Sequence, residues 1–290
     1  MYPPRFRYEA PRTLDEALAL LAGDPDAKVL AGGQSLIPLL KLRFAQPALL
    51  VDINGLPGLR HHRETADGAL EIGALCRHVD LERSELLPGG HPTLAACAPL
   101  VADPVVRTRG TLVGSLCHAD PQGDWAAAMI ALGGEVVARS VRGERRIPVG
   151  EFATGPFQNA LEHDEIAVAA RVPAARDTRH GAFLKLERRV GDFATAGLAV
   201  ALEIAADGRV TRAGLALTGV GATTLAATGA ADALVGTRLE PEAIERAAEL
   251  AAGTARPRSD HRGSAGYKRQ VVATFTRRAL AGFATAGVAA

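Results

Sequence analysis

Val29-Leu30-Ala31-Gly32-Gly33-Gln34-Ser35-Leu36 joins a short apolar run to an amphipathic one. Residues 28–31 read as a buried strand, Gly32-Gly33 breaks it, and residues 36–43 resume as a helix with Pro38 in its first turn. Adjacent glycines let a backbone turn sharply and lie against a ligand. The amides of such a turn, the Ser35 hydroxyl and the start of the following helix together suit phosphate oxygens. The stretch is neither GxGxxG nor GxxxxGK[ST], and a glycine pair by itself more often marks a turn than a site.

Upstream, Thr13-Leu14-Asp15-Glu16 is a capping box, followed by an apolar face of Leu14, Ala17, Leu18 and Leu21 and a stop at Gly23. Downstream, residues 49–52 read as a second short strand ending at Asn54-Gly55. Residues 59–64 and 69–73 read as a hairpin around Asp67-Gly68. Helices are expected over 93–102, stopping before Pro104, and over 125–132. Paired strands are expected at 135–140 and 145–149. The polar segment 173–178 marks a boundary, beyond which 197–205 and 209–218 flank Asp207-Gly208 as a hairpin. Helices at 242–252 and 264–283 close the chain, the last with Val271, Val272, Phe275, Ala279 and Phe283 on one face. This order predicts an α+β fold rather than a doubly wound sheet.

A second stretch, Gly110-Thr111-Leu112-Val113-Gly114-Ser115-Leu116-Cys117-His118-Ala119-Asp120-Pro121-Gln122-Gly123-Asp124, reads as a loop rich in ligand-binding groups. The Thr111 and Ser115 hydroxyls and the backbone amides suit a diphosphate, and the Asp124 carboxylate suits sugar hydroxyls. Asp124 is equally readable as a helix N-cap. His118, Asp120 and Asp124 lack the compact spacing of a metal site, and neither Ser35 nor Ser115 stands in the GxSxG of a hydrolase. His61-His62 reads as surface.

Composition narrows the classes. The 290 residues are 48% hydrophobic and 22% charged, which suits a globular chain. A net charge of +1 gives no reason to expect nucleic acid as a partner. No apolar run approaches the roughly 20 residues of a membrane span. The first five residues lack the pattern of a signal peptide, so a cytoplasmic location is expected. Cys76, Cys97 and Cys117 are too scattered for a disulfide framework or an iron–sulfur cluster and read as small buried apolar residues.

The two stretches are more informative together. AGGQSLIPLLKLR, then ADPVVRTRGTLVGSLCHADPQGD about eighty residues on, LKLERRVGDFATAG and TGVGATTL resemble, over essentially the whole chain, the FAD-binding medium subunit of molybdenum hydroxylases, the carbon monoxide and xanthine dehydrogenase type. The resemblance implies a vanillyl-alcohol-oxidase-type FAD-binding domain over 1–177, with subdomains about 1–56 and 57–177, and a smaller α+β domain over 178–290. It implies extended FAD lined by Val29, Leu30, Ala31, Gly32, Gly33, Gln34, Ser35 and Leu36, with Ala31 to Ser35 on the diphosphate. Thr111, Gly114 and Ser115 would complete that cradle, Asp124 would take ribityl or ribose hydroxyls, and Lys185 and Phe193 would lie near the isoalloxazine. Ala102 and His118 are carried over as further cofactor-lining positions. No catalytic acid, base or metal ligand is expected. The implied partners are a large subunit holding a molybdopterin cofactor, a small subunit with [2Fe–2S] clusters, and an external acceptor: NAD, a quinone or oxygen.

Two departures from the family pattern bear on the site. Val113 and Ser115 stand in a segment that commonly reads T-[IV]-G-G-N or T-[IV]-G-G-S, so looser contact around Val113 is expected. Phe193 replaces the Tyr of some relatives. The chain also lacks the inserted cluster-binding cysteines of the benzoyl-CoA reductase branch. A self-sufficient flavin oxidase or reductase of the same fold, and a non-redox nucleotide-binding protein, are the alternative readings.

Overall fold

A computed structural model describes residues 2–286; Met1 and the last four residues of the expected 178–290 domain lie outside the described residues. The chain opens with β1 (Arg7–Glu9), α1 (Leu14–Ala22), β2 (Lys28–Leu30), α2 (Leu36–Lys41) and β3 (Leu49–Asp52). The strands form a small sheet in the order β1-β3-β2, and both pairings are parallel. Parallel neighbours need crossovers, which α1 and α2 supply. The capping box is present: Thr13 Oγ1 accepts the Glu16 N–H at 3.2 Å, and the Glu16 carboxylate accepts the Thr13 N–H at 3.3 Å. Ala17, Leu18 and Leu21 of α1 are buried.

The middle of the chain runs β4 (His62–Glu64), β5 (Leu70–Gly73), α3 (His78–Glu82), α4 (Leu86–Gly90), α5 (Pro92–Cys97), α6 (Pro104–Arg107), α7 (Leu112–His118), α8 (Asp124–Ala131), β6 (Glu135–Ser140) and β7 (Gly143–Pro148). It continues with α9 (Val149–Phe152), the short pair β8 (Ala153–Gly155) and β9 (Gln158–Asn159), and β10 (Ile166–Val172). Five of these strands form an antiparallel sheet in the order β4-β5-β10-β6-β7. The hairpins expected around Asp67-Gly68 and between 135 and 149 are there. Two expectations are corrected. The helix expected over 93–102 ends at Cys97, passes through a 3-10 turn at Ala98–Leu100, and Ala102 takes a left-handed φ of 51°. The second stretch is not a continuous loop, because residues 112–118 are helical.

The last part is β11 (Thr178–Leu186), β12 (Ala196–Ile204), β13 (Val210–Thr218), β14 (Leu225–Ala226), α10 (Thr228–Asp232), α11 (Pro241–Thr254) and α12 (Ala265–Ala286). The strands make an antiparallel sheet in that order. β12 is buried along almost its whole length because it is covered on both faces. Its sequence alternates large and small for that reason. Leu198, Val200 and Leu202 join a core with residues of α10, α11 and α12, whereas Ala199 and Ala201 join the core of the preceding half. The period of two sends the two sets to opposite faces. The seam is also hydrogen-bonded: the buried Thr93 Oγ1 of α5 donates to the Val200 carbonyl at 2.8 Å.

Candidate functional site

The first glycine turn and the start of the second stretch are in direct contact. A Cβ on Gly32 would lie 2.3 Å from the Arg109 carbonyl oxygen and 2.8 Å from Gly110 Cα, so the approach admits only glycine. Gly33 follows with φ of 75°, a conformation that favours glycine. The first helical bond of α2 runs from the Ile37 N–H to the Gly33 carbonyl at 3.0 Å, and the amides preceding it have no helical partner. Ser35, the N-cap of α2, makes no side-chain cap bond and is only partly buried, as are Val29, Leu30, Ala31 and Leu36; Gln34 is exposed.

Four side chains that the sequence reading did not single out fix this junction. Asn54 Nδ2 donates to the Ala31 carbonyl at 2.8 Å. Arg77 donates through one nitrogen to Asn54 Oδ1 at 2.6 Å and through another to the Arg109 carbonyl at 3.0 Å. Asp52 accepts from the Asn54 side chain at 2.6 Å and from the Tyr8 hydroxyl at 2.5 Å. The backbone of the same segment is tied in, with the His78 N–H donating to the Gly110 carbonyl at 2.9 Å. The His78 ring is buried and accepts from Trp125 Nε1 at 3.0 Å; burial pulls its pKa down to about 4.

Helix α7 begins at this junction. Thr111 is its N-cap, accepting the Gly114 N–H at 3.0 Å, so the hydroxyl oxygen is committed to the helix and its proton is what remains for a ligand. Leu112, Val113 and Leu116 face the core, whereas Gly114 and Ser115 are partly exposed. The Val113 side chain, 2% exposed, therefore adds no bulk to the open face of the helix; only its stiffer backbone distinguishes it from glycine there. His118, at the far end of α7, stacks at a tilt against Phe157, 5.2 Å between ring centroids, apart from the junction.

The second cluster lies where α8 meets β11. Asp124 is the first residue of α8, and Gly123 is the N-cap, so the N-cap reading of Asp124 is corrected. Lys185 Nζ, almost fully buried, donates to Asp124 Oδ2 at 2.8 Å and to the Leu100 carbonyl at 2.9 Å, with Glu187 Oε2 at 3.4 Å. Burial pushes the Asp124 carboxyl up to about 6 against the pull of the Lys185 ammonium. Asp124 Oδ1 is buried with no hydrogen-bond donor among the described residues. A buried carboxylate oxygen left in that state is costly, and a ligand hydroxyl is the donor that would satisfy it.

Beyond Lys185, the 187–193 turn is held from two sides. A Cβ on Gly191, whose φ is 81°, would lie 2.9 Å from the Ala102 carbonyl oxygen, which itself accepts from Arg107 at 2.8 Å. Arg262 donates to the Phe193 carbonyl at 2.8 Å and pairs with Asp192 at 3.1 Å. Phe193 is thereby presented 49% exposed. These contacts join Ala102, Asp124, Lys185 and the 187–193 turn, while Gly32 meets Arg109 and Gly110 just before the Thr111 N-cap of α7; the Ser115 hydroxyl lies instead toward the start of α8, 4.0 Å from where a Gly123 Cβ would stand. A dinucleotide needs these two kinds of place: backbone amides for a diphosphate, and a buried acceptor for polyol hydroxyls beside a flat apolar group.

Comparison with known proteins identifies the family. Residues 4–175 match the family described as FAD binding domain in molybdopterin dehydrogenase, and residues 181–283 match the CO dehydrogenase flavoprotein C-terminal domain. The chain is 41% identical to the carbon monoxide dehydrogenase medium chain of Hydrogenophaga pseudoflava, covering 97% of each. It is 38% identical to subunit alpha of the 6-hydroxypseudooxynicotine dehydrogenase complex of Paenarthrobacter nicotinovorans, covering 97% of this chain and 95% of the other. A solved carbon monoxide dehydrogenase from Hydrogenophaga pseudoflava superposes with a TM-score of 0.93 at 42% identity, over 99% of both chains. A quinoline 2-oxidoreductase from Pseudomonas putida 86 does so with a TM-score of 0.90 at 34% identity, again over 99% of both chains. With both halves matched and the whole length covered, the chain belongs to the FAD-binding medium subunits of the molybdenum hydroxylase family, of carbon monoxide dehydrogenase type, and is an oxidoreductase subunit.

Proposed function

We propose that the chain relays electrons: it receives them from the [2Fe–2S] clusters of a small partner subunit, after substrate oxidation at the molybdopterin cofactor of a large one, and delivers them to NAD, a quinone or oxygen. Bound FAD supplies a carrier that can take electrons singly and release them in pairs. The chain's own residues bind and orient it. The Ala31 to Ser35 turn with Thr111, Gly114 and Ser115 holds the diphosphate, Asp124 takes ribityl or ribose hydroxyls, and Lys185 and Phe193 border the isoalloxazine. Residues 1–177 make the FAD-binding domain and 178–290 the domain that contributes Lys185 and Phe193. In this reading the complex works in the cytoplasm.

The observation that carries this reading is Asp124 Oδ1, buried and without a donor beside an ion-paired lysine. The three cysteines are single and far apart in the sequence, which supports clusters being held by another chain. The test is to tag the chain in its own host, isolate what co-purifies, and add substrate without air. Bleaching of the flavin absorbance is expected only when the large and small subunits are present. Bleaching, or turnover of a hydroxylase substrate, by the purified chain alone would overturn the relay.

A further inference from the structure

We propose that Asn54 and Arg77 form a clamp that sets the two phosphate-binding segments in one rigid register, so that the glycine turn presents its amide rather than a carbonyl to the anion, while the Gly110 amide of the second segment stays on the Val106 carbonyl at 2.8 Å. The inference rests on the reading that Ala31 to Ser35 and the start of α7 flank the diphosphate. Neither side chain needs to touch the ligand for this; both are positioning residues.

The two segments are far apart in the chain, one following β2 and the other leading into α7, so their register is a tertiary matter. The clamp spans them in one line. Asn54 Nδ2 holds the Ala31 carbonyl at 2.8 Å, Asn54 Oδ1 accepts from Arg77 at 2.6 Å, and Arg77 holds the Arg109 carbonyl at 3.0 Å. Asp52 orients the amide by accepting from it at 2.6 Å, which leaves Asn54 Oδ1 free to accept from the guanidinium. Arg77 is a buried cation, 9% exposed, whose backbone N–H is itself fixed by Asp80 at 2.9 Å.

The electrostatic consequence follows from peptide geometry. In a trans peptide the C=O and N–H point to opposite sides. Holding the Ala31 carbonyl on the clamp therefore fixes the direction of the Gly32 N–H, the first amide of the glycine turn. A glycine pair is free enough to flip that peptide, and a flip would exchange an amide for a carbonyl oxygen near the anion. Gly32 sits too close to Arg109 and Gly110 to shift aside, so register and peptide direction are set together. The guanidinium adds a fixed positive charge behind both carbonyls.

The experiment titrates FAD into the full-length, FAD-free chain, or into the complex in which it co-purifies, following flavin fluorescence. The variants are Asn54→Leu and Arg77→Gln, with Ser35→Asp as the probe of the loop itself. Loss of the positioning bonds is expected to weaken FAD binding on the order of tenfold, with the FAD-free chain melting at a lower temperature than the parent but folded at the temperature of the titration. Amide exchange at Gly32 to Ser35 should also speed up in the FAD-bound clamp variants, a change that a loss of global stability alone would not confine to this turn. Arg77→Lys keeps the charge and one bond and should recover part of the affinity; it serves in place of either variant that does not fold. If Ser35→Asp weakens binding but the clamp variants bind FAD like the parent, the clamp is wrong. If Ser35→Asp binds FAD like the parent, the placement of the diphosphate is wrong, and the clamp falls with it.

Discussion

Asp124 shows how much of this site is decided at single residues. Its carboxyl is raised to about 6 because burial costs the charged form more than the Lys185 ammonium returns. A hydroxyl donated to Oδ1 favours the carboxylate, so FAD binding should release a proton wherever the free site is protonated. FAD affinity is therefore expected to be flat above neutral pH and to fall below pH 6, by up to about tenfold per pH unit. Asp124→Asn should bind more weakly and lose that dependence; titrations between pH 5 and pH 8 check both. At this scale the sequence was partly legible. Gly32, Asp124 and Lys185 stand in motifs whose chemistry can be read. Asn54 and Arg77 do not, because Asn54-Gly55 reads as the end of a strand, and Arg77 lies in a stretch whose partners come from three distant segments.

Helix α7 is the element on which reading and structure part company. Gly114, Thr111, Ser115 and His118 have modest helix propensity, and the segment's apolar residues are too few to display a period. Packing of Leu112, Val113 and Leu116 in the core overrides that weak local preference. The one local signal was Thr111 three residues before Gly114, a cap without its usual acidic partner. Thr111→Val keeps the shape and removes the cap, and is expected to cost about 1 kcal/mol. That corresponds to a fall of roughly 2–4 °C in melting temperature for a chain of this size, measured by calorimetry on the FAD-free chain. By contrast, β12 and β13 were legible because Asp207-Gly208 makes a two-sided hairpin signal. β10 is not legible in the same way, since Ile166–Val172 is apolar except for Arg171 and shows no alternation.

For the whole molecule, acid stability is expected to depend on two buried histidines, one behind the junction and one remote from it. His78 and His91 are buried, and each is lowered to about 4, with desolvation the largest cause. A histidine with a depressed folded pKa contributes stability that is present above its unfolded pKa, near 6.5, and is lost as pH falls toward 4. Each should cost roughly 2 kcal/mol at pH 5 relative to neutral pH. Asp124 acts in the opposite sense, since a raised carboxyl favours the folded state as it protonates, and offsets part of the loss. The net expectation is a lower melting temperature at pH 5 than at pH 7, with His91→Gln flattening the profile; differential scanning calorimetry across that range decides it. The overall α+β organisation was readable from the order of elements. The parallel pairing of the first sheet was not, because it depends on which short strands meet.

The alternating strand β12 has a consequence for how such a chain can be altered. Leu198, Val200 and Leu202 seal one core while Ala199 and Ala201 seal the other, so the strand is a party wall. Enlarging an alanine on it would intrude on the FAD-binding side, and trimming a leucine would hollow the other side. The two matched families meet between residues 175 and 181, yet the wall that follows serves both cores, so an exchange of either part between relatives has to match the partner's face of that strand.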